Sequence, residues 1–326
     1  MAELTASSLT AASSSLSSTS SKILYVVRHG QAVHNPRAEA AKDNNCSTED
    51  FFRLMREDDA LDADLTDLGK EQANRCYEAH FSSSASSSSS NNANKNNPLG
   101  IDLVLASCLS RTMDTADLVF PHYENDAESD VENDTTKDGA VSATPPAPRR
   151  ISIENFREVN GDLLCGKRRT KSELLARHPN WNFDSLVTEQ DDSWTPKLEE
   201  FGAAAERGYQ GLVDLLTGES YNNDSSDTSS TITTTTTMNT FLLVCHGGIL
   251  RYMMNIHPLV HLCDERTDTN NPNEKSEQQR TQKTVESRFE NCELRKYRLS
   301  WKDDNYEGND NDNPVRRAVV LTQVDH

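Results

Sequence analysis

Three short apolar runs, each followed at once by polar residues, dominate the hydrophobic pattern of the chain. They lie at residues 23–27, 103–106 and 241–245 and consist mostly of Leu, Ile and Val. Runs of this length are typical of strands that are buried on both faces of a parallel sheet. Because ligands collect beyond the carboxyl ends of such strands, the polar residues that follow each run are candidate site residues.

Amphipathic segments between these runs predict the helices. Helices are expected after Thr66 as a capping residue, over 111–119, 171–178 and 197–216, and after Gly248. Residues 292–299 and 318–324 alternate between apolar and polar positions, so we expect two strands that pair antiparallel and close one edge of the sheet. Helices that alternate with apolar strands indicate an α/β fold with a parallel or mixed sheet.

Polar tracts of low complexity interrupt this pattern. They are residues 1–21, 81–98, 122–150, 219–240, 264–287 and 301–315. None has a periodicity that would bury one face, so residues 1–21 are predicted to be a disordered Ser/Thr-rich extension and the others disordered insertions. Without these tracts roughly 200 residues remain, which suits a single domain that spans residues 22–326.

Charge and composition exclude several classes of function. The chain has 33 basic and 52 acidic residues and a net charge of −19, whereas a protein that binds nucleic acid needs a basic stripe. No segment approaches the roughly 18 apolar residues of a membrane span. The seven cysteines form no CxxC pair and are expected to be reduced. We therefore expect a cytoplasmic protein, with organelle import through residues 2–21 and the oligomeric state left open.

Arginine and histidine side chains follow the three predicted strands. Arg28 and His29 follow the first, Arg111 lies shortly after the second, and His246 follows the third. Any one of them alone is better explained as an ion-paired arginine or a buried histidine. At one edge of one sheet, however, the two arginines would form a strong anion site, because guanidinium groups bind phosphate oxygens in pairs. Backbone N–H groups at the next helix start, from Gly247 onward, would add donors.

Five motifs occur in order along the chain. They are Val27-Arg28-His29-Gly30-Gln31 with Asn35, residues 64–72, Ser107-x-Leu109-x-Arg111-x-x-x-Thr115, Glu158 with Gly161 and Gly166, and His246-Gly247-Gly248. Together they resemble the histidine phosphatase superfamily, the phosphoglycerate-mutase-like proteins. The pair His34-Asn35 and the segment 157–179 are similar to its plant and fungal phosphoglycerate-mutase-like subgroup. The resemblance implies a three-layer α/β/α fold with a mostly parallel central sheet.

The resemblance also implies a catalytic role for five residues. His29 would attack phosphorus and become a phosphohistidine, a step that needs a neutral ring. Arg28, Arg111 and His246 would bind the oxygens of the transferred phosphoryl group. Glu158 would protonate the leaving oxygen and then activate water. No metal or other cofactor is implied, because the arginines already neutralise the phosphate.

Four further residues are candidates for substrate binding. Asn35 and Gly247 would add neutral donors to the phosphoryl group. Arg168 and Arg169 would bind a second anionic group of the substrate, although a solvated basic helix start explains them almost equally well. The expected partner is a small phosphorylated metabolite.

Some titratable residues have competing interpretations. Asp162 is the nearest alternative to Glu158 as the acid, and an ion pair with Arg157 is the alternative explanation of Glu158 itself. His257 and His261 have the i, i+4 spacing of a helical metal site, but Pro258 between them breaks a helix. No role is therefore assigned to these two histidines.

The predicted function is metal-independent hydrolysis of small phosphomonoesters through a phosphohistidine. A phosphoglycerate mutase with the same intermediate is one alternative, and a noncatalytic sensor or scaffold that binds a phosphorylated ligand is another. Gln31 stands where well-established mutases usually have glutamate, and the segment after Glu158 departs from their E-R-H-Y-G pattern. Both differences favour hydrolysis.

Overall fold

The computed structural model describes residues 21–82, 96–123, 147–218, 238–264, 288–302 and 316–325. Almost all of the predicted N-terminal extension and the centres of the predicted insertions lie outside these residues, so their disorder stays a prediction. The margins of the insertions contain regular structure. One strand begins at Arg149, inside the tract predicted to run from 122 to 150.

Helices and strands alternate along the described chain. The helices are α1 (Pro36–Asp43), α2 (Thr48–Glu57), α3 (Asp67–His80), α4 (Ser110–Val119), α5 (Lys171–Arg177), α6 (Phe201–Thr217) and α7 (Gly247–Ile256), with a 3₁₀ turn at Leu164–Gly166. The strands are β1 (Lys22–Arg28), β2 (Leu103–Ser107), β3 (Arg149–Ile153), β4 (Thr240–Cys245), β5 (Val260–Asp264), β6 (Leu294–Trp301) and β7 (Val319–Gln323). Thr66 caps α3 as predicted, and its hydroxyl accepts the N–H of Gly69 at 3.0 Å.

The strands of the described chain form one seven-stranded sheet in the order β3-β2-β4-β1-β6-β7-β5. Neighbouring strands are parallel except that β6 runs antiparallel to both β1 and β7. The mostly parallel sheet and the antiparallel pair β6–β7 are confirmed. The prediction that this pair closes an edge is wrong, because β5 pairs with β7 on its outer side.

Strand β3 is absent from the sequence prediction because it opens with two arginines. Arg150 is nevertheless only 4% exposed. Its guanidinium donates to Asp117 and to the carbonyl of Phe120, and it lies over the rings of Phe120 and Trp181. These partners are distant in sequence, so no local pattern signals that this charge is buried.

Helices cover both faces of the sheet, as expected for three α/β/α layers. Along β1, Leu24 and Val26 pack in one apolar core with residues of α6 and α7. Tyr25 and Val27 face the opposite way and pack in a second core with residues of α3 and α4. Burial on both faces explains why β1 reads as a continuous apolar run.

The carboxyl ends of β1, β2 and β4 lie side by side at one edge of the sheet. Arg28 of β1 is paired in register with Cys245 of β4, and the N–H of His29 donates to the carbonyl of Cys245 at 3.0 Å. Strand β2 flanks β4 on its other side and ends at Ser107. The residues that follow these three strands therefore meet at one place.

Two glycines allow α3 to approach this edge closely. A Cβ on Gly30 would lie 2.4 Å from the carbonyl oxygen of Gly69, and a Cβ on Gly69 would lie 2.1 Å from the carbonyl oxygen of Gln31. The N–H of Gln31 also donates to the side-chain oxygen of Gln72 at 2.8 Å. The first turn of α3 thus lies against the residues after β1 with no room for a side chain between them.

Replacing Gly69 with alanine should therefore lower the free energy of unfolding by about 1–3 kcal/mol, the usual range for overpacking, as measured by urea denaturation. Gly202→Ala is the matched control, because a Cβ at Gly202 meets no atom within 4 Å. Alanine there should leave the stability unchanged or raise it by up to about 1 kcal/mol. Equal stability of the two variants would show that α3 moves away from β1 without cost.

Candidate active site

His29 lies directly after β1 and is 3% exposed. Its Nδ1 is 2.6 Å from the carbonyl oxygen of Gly30, so Nδ1 carries the proton and Nε2 carries the lone pair. The Nε of Arg111 donates to that Nε2 at 3.3 Å. The ring is thus held in the tautomer that offers Nε2 as a nucleophile.

Arg111, in the first turn of α4, connects His29 to His246. It is 1% exposed, and its Nη2 donates to Nδ1 of His246 at 3.1 Å. Its Nη1 donates to the carbonyl of Cys165 at 2.7 Å. The Nε2 of His246 lies 2.8 Å from the hydroxyl of Ser107, and the two imidazole rings meet edge to face with centroids 5.0 Å apart. The two histidines and Arg111 form one connected cluster.

Burial and positive charge keep the histidines of this cluster neutral. The pKa values of His29 and His246 lie well below the ordinary value of 6.5, first because burial disfavours the charged ring and then because Arg111 repels it. Arg28 lowers the pKa of His29 further. The pKa of the buried His34 is lowered for the same reasons, by burial, Arg111 and Arg28. A nucleophilic histidine requires this neutral form.

Arg28, the last residue of β1, is held from two sides. Its Nη2 forms an ion pair with Glu39 at 2.6 Å, and its Nη1 donates to the carbonyl of Phe289 at 3.0 Å. Its Nε is buried and has no hydrogen-bond partner among the described residues. A Cβ on Gly247 would lie 3.2 Å from that Nε, so α7 begins directly against the guanidinium. The arginine thus keeps one buried donor for an anion.

The carboxylate of Glu158 is bound at the start of α7, the helix that begins directly after His246. This carboxylate accepts three backbone N–H groups, those of Val159 at 2.9 Å, Ile249 at 3.0 Å and Gly248 at 3.2 Å. Arg207 of α6 donates to the carbonyl of Glu158 at 3.2 Å and to that of Arg157 at 2.8 Å. Both the carboxylate and the loop that carries it are therefore fixed in position.

The competing interpretations of the acidic residues do not agree with this geometry. Arg157 is 1% exposed and pairs with Asp191 and Glu154, so the interpretation of Glu158 as its ion-pair partner is wrong. Asp162 forms an ion pair with the exposed Arg56 at 2.7 Å. Of the two carboxylates considered as the acid, Glu158 is the one bound at the same helix start as His246.

No family model matches the chain. A phosphoglycerate mutase-like protein of Arabidopsis thaliana is 29% identical over 203 residues, which cover 60% of this chain and 66% of that protein. Phosphoglycerate mutase-like protein 1 of the same plant is 28% identical over 184 residues, 55% of this chain and 57% of that protein. The chain is thus similar to two proteins that are named phosphoglycerate mutase-like. The matched region spans about three fifths of each relative's own length.

Solved structures similar to this chain include two phosphatases. The α-ribazole phosphatase of Shigella flexneri aligns with 84% of this chain and 89% of its own, at 16% identity and a TM-score of 0.36. A mycobacterial glucosyl-3-phosphoglycerate phosphatase aligns with 93% of this chain and 97% of its own, at 15% identity and a TM-score of 0.38.

The neutral donors predicted from the resemblance lie next to the cluster. Asn35 is 7% exposed, and its side-chain oxygen accepts the N–H of Ala32 at 3.0 Å. This bond closes the turn between His29 and α1. Gly247 is the first residue of α7 and borders Arg28. Their contacts with substrate stay predictions.

The basic residues predicted to bind a second anion are already engaged. Arg168 is 4% exposed and donates to four backbone carbonyls, those of Arg169, Thr188, Glu189 and Gln190. Arg169 pairs with Asp62 at 3.0 Å and Asp64 at 3.3 Å. The Nζ of Lys167 lies 4.8 Å from the centre of the Trp194 ring. These contacts favour a structural role for Arg168 in place of the predicted substrate contact.

Arg169 acts through its partner on the position of Arg111. The buried carboxylate of Asp62 accepts the N–H of Ser110 at 2.8 Å and its hydroxyl at 2.6 Å, at the start of α4. Arg111 is the next residue of that helix. The pair Arg169–Asp62 therefore holds the turn from which Arg111 reaches the histidines.

Glu39 and His34 are parts of the site that the sequence analysis did not assign. Glu39 lies on α1, a helix not predicted because only Ala38 of its residues is buried and no apolar stripe marks it. In the sequence, His34 stands out only as part of the His34-Asn35 pair. It is 3% exposed, and its Nδ1 is buried without a hydrogen-bond partner in the described chain. The local signal for both residues is the polar pair His34-Asn35 directly before Pro36, the first residue of α1.

Other findings concern groups outside the cluster. Nowhere in the described ranges do three or more His, Cys, Asp or Glu side chains gather so as to hold a metal ion. His257 binds Glu206 at 3.0 Å and stacks on Tyr209, whereas His261 belongs to β5. No helix within the described residues is long and apolar enough to cross a bilayer.

The lowered histidine pKa values predict how stability depends on pH. Below pH 6.5 the unfolded chain takes up protons on His29, His34 and His246 that the folded chain does not, so the free energy of unfolding falls with falling pH. Each histidine contributes a slope of up to about 1.4 kcal/mol per pH unit in that window. Urea denaturation at pH 7.5, 6.5 and 5.5 should show a smaller loss for His34→Gln than for the wild type.

His122→Gln is the control for this measurement, because His122 is exposed. It should lose stability with acidification as steeply as the wild type. An unchanged slope in His34→Gln would mean that His34 takes up its proton equally in the folded and unfolded chains.

Proposed function

We propose that the chain is a phosphatase that hydrolyses small phosphomonoesters through a phosphohistidine on His29. The observation that carries the proposal is the pair of hydrogen bonds to this ring, from Nδ1 to the carbonyl of Gly30 and from Arg111 to Nε2. They hold a neutral ring with its lone pair beside a guanidinium suited to phosphoryl oxygens. The names of the two plant relatives support chemistry of a phosphatase or mutase type.

The reaction takes two steps at the same phosphorus atom. In the first, Nε2 of His29 attacks phosphorus and the bond to the ester oxygen breaks, with the leaving oxygen keeping the electron pair and taking a proton from Glu158. In the second, Glu158 takes a proton from water, whose oxygen attacks phosphorus. The phosphorus–nitrogen bond then breaks, its electron pair returns to Nε2, and inorganic phosphate leaves.

Positive charge at the cluster stabilises the transferred group. Arg111 binds two neutral rings and a carbonyl, so no carboxylate of the described chain neutralises it. Arg28 has its unpaired buried Nε. These donors, with His246 and Asn35, would form hydrogen bonds to the phosphoryl oxygens as negative charge develops on those oxygens. Because the donors are positioned beforehand, little reorganisation is needed in the transition state.

Phosphoglycerate mutase activity is the second candidate, because the names of both plant relatives include that enzyme. A mutase must return the phosphoryl group from His29 to a second hydroxyl before water reaches it. In this chain Gln31 replaces the glutamate usual in mutases, and its side chain contacts Thr66 at 3.1 Å and Glu39 at 3.4 Å. Hydrolysis is therefore the first candidate.

His29→Ala should reduce release of inorganic phosphate to the background rate for every compound in a panel of phosphomonoesters, assayed in EDTA. His122→Ala should retain the wild-type rate, since that side chain is exposed. Undiminished release from His29→Ala would overturn the mechanism. No release by the wild-type protein from any compound would instead direct the test to isomerisation of 3-phosphoglycerate.

Gly248→Ala should inactivate the protein through Glu158 while leaving it folded. A Cβ at Gly248 would lie 2.2 Å from Oε1 of Glu158, so the carboxylate must leave its amide donors, and its flexible end can do so. We expect kcat to fall by about 10²-fold or more, as for Glu158→Gln, since general acid–base catalysis contributes about 10²–10⁴-fold. A Gly248→Ala protein with wild-type kcat would show that Glu158 does not need this position.

A further inference from the structure

Three segments of the chain meet at the guanidinium of Arg28. Helix α1 reaches it through Glu39 at 2.6 Å, the residues before β6 reach it through the carbonyl of Phe289 at 3.0 Å, and α7 reaches it at Gly247. A Cβ on Gly247 would lie only 3.2 Å from Nε of Arg28. The surroundings of Arg28 are therefore built from parts that are far apart in the sequence.

Each of these segments carries one exposed basic residue close to its contact with Arg28. Lys42 follows Glu39 by three residues on α1, and Arg251 follows Gly247 by four residues on α7. Both spacings place a side chain on the same helix face as the contact residue. Arg288 directly precedes Phe289. Each of the three basic residues therefore lies within about one helical turn, or one residue, of a contact with the same guanidinium.

These three side chains have free donors. None of Lys42, Arg251 and Arg288 gives a hydrogen bond or an ion pair to another residue that the structure describes. Arg251 contacts the ring of its neighbour Tyr252, with 5.8 Å from the guanidinium carbon to the ring centre. In this respect they differ from Arg168 and Arg169, whose guanidinium groups donate to carbonyls and carboxylates.

The positive charges act on one another. Partial burial and then the charges of Arg28, Arg288 and Arg251 hold the pKa of Lys42 below its ordinary value of 10.5, and Glu39 opposes them only in part. Like charges held together repel, and an anion between them removes that repulsion. Glu39 pairs with Arg28 and offsets the repulsion at Lys42 only in part, so the group keeps an excess of positive charge.

We infer that Lys42, Arg251 and Arg288 bind a second anionic group of the substrate, a carboxylate or a second phosphate, while Arg28 binds the transferred phosphoryl group. The inference rests on the proposed function, because it places this second site beside the residue predicted to hold the phosphate. The preferred substrates are then small phosphomonoesters that carry another anion. Lys42, Arg251 and Arg288 thus take the place of Arg168 and Arg169 as the residues expected to bind the second anion.

The test compares substrates that differ only in the second anion. The first pair is 3-phosphoglycerate and glycerol 3-phosphate, and the second pair, with a longer reach, is 4-carboxyphenyl phosphate and phenyl phosphate. For the wild type, kcat/KM should be higher for the carboxylate of at least one pair, and added salt should reduce that preference because it screens charge. The double variant Arg251→Gln, Arg288→Gln should lower the preference by about tenfold or more, as expected for two lost charged contacts.

The matched control removes the same charge elsewhere. Arg53→Gln, Lys197→Gln changes two exposed residues that pair with Glu57 and Glu200, and the preference should stay within about twofold of the wild type. The inference is overturned if the wild type shows no preference in either pair, or if the preference survives in the double variant.

A separate measurement distinguishes failure of this inference from failure of the proposed function. If the wild type releases no phosphate from any of the four compounds, phosphatase activity is wrong, and calorimetric binding of the same compounds then decides. Tighter binding of a carboxylate than of its neutral counterpart, lost in the double variant, would support the second anion site without hydrolysis. Equal binding within both pairs would overturn it.

Discussion

The buried guanidinium of Arg111 is the feature on which the candidate site depends. A cation that is 1% exposed would ordinarily need a carboxylate, yet its donors go to two imidazole nitrogens and one carbonyl oxygen. These neutral acceptors satisfy the N–H groups and leave the positive charge uncompensated. Burial first and then this charge hold the pKa values of His29 and His246 low, so the residue that offers an anion its counter-charge also helps to keep both rings neutral.

Holding such a charge in place requires support from several elements. The first turn of α4 is fixed by Asp62, which accepts two hydrogen bonds from Ser110 and pairs with Arg169. The carbonyl of Cys165 is oriented because Asp59 accepts the N–H of the same residue at 2.8 Å. On the far side, Ser107 at the end of β2 binds His246. These supports come from segments up to about a hundred residues apart, and they are what makes the donors preorganised.

The parts of this site that could be predicted are those with a local signal. The apolar runs of β1 and β4 end directly before Arg28 and His246, and the cap at Thr66 is visible in the sequence. Whether a basic side chain is buried or exposed has no such local signal. Arg150, Arg157 and Arg168 are buried because carboxylates and carbonyls from distant loops surround them, whereas Arg251 and Arg288 are exposed. No pattern within a few residues distinguishes a buried arginine from one free to bind substrate.

The same reasoning bears on the net charge of −19. Residues 122–138 carry seven carboxylates and one lysine, and residues 301–313 carry five carboxylates and one lysine, so these tracts supply much of that charge. Charges farther away than the Debye length, about 8 Å at physiological salt, are largely screened. Among the described residues, Arg111 contacts two imidazole rings and Arg28 pairs with Glu39. The charge that a ligand meets there is set first by such near neighbours, so the sum over the chain says little about the sign of the site.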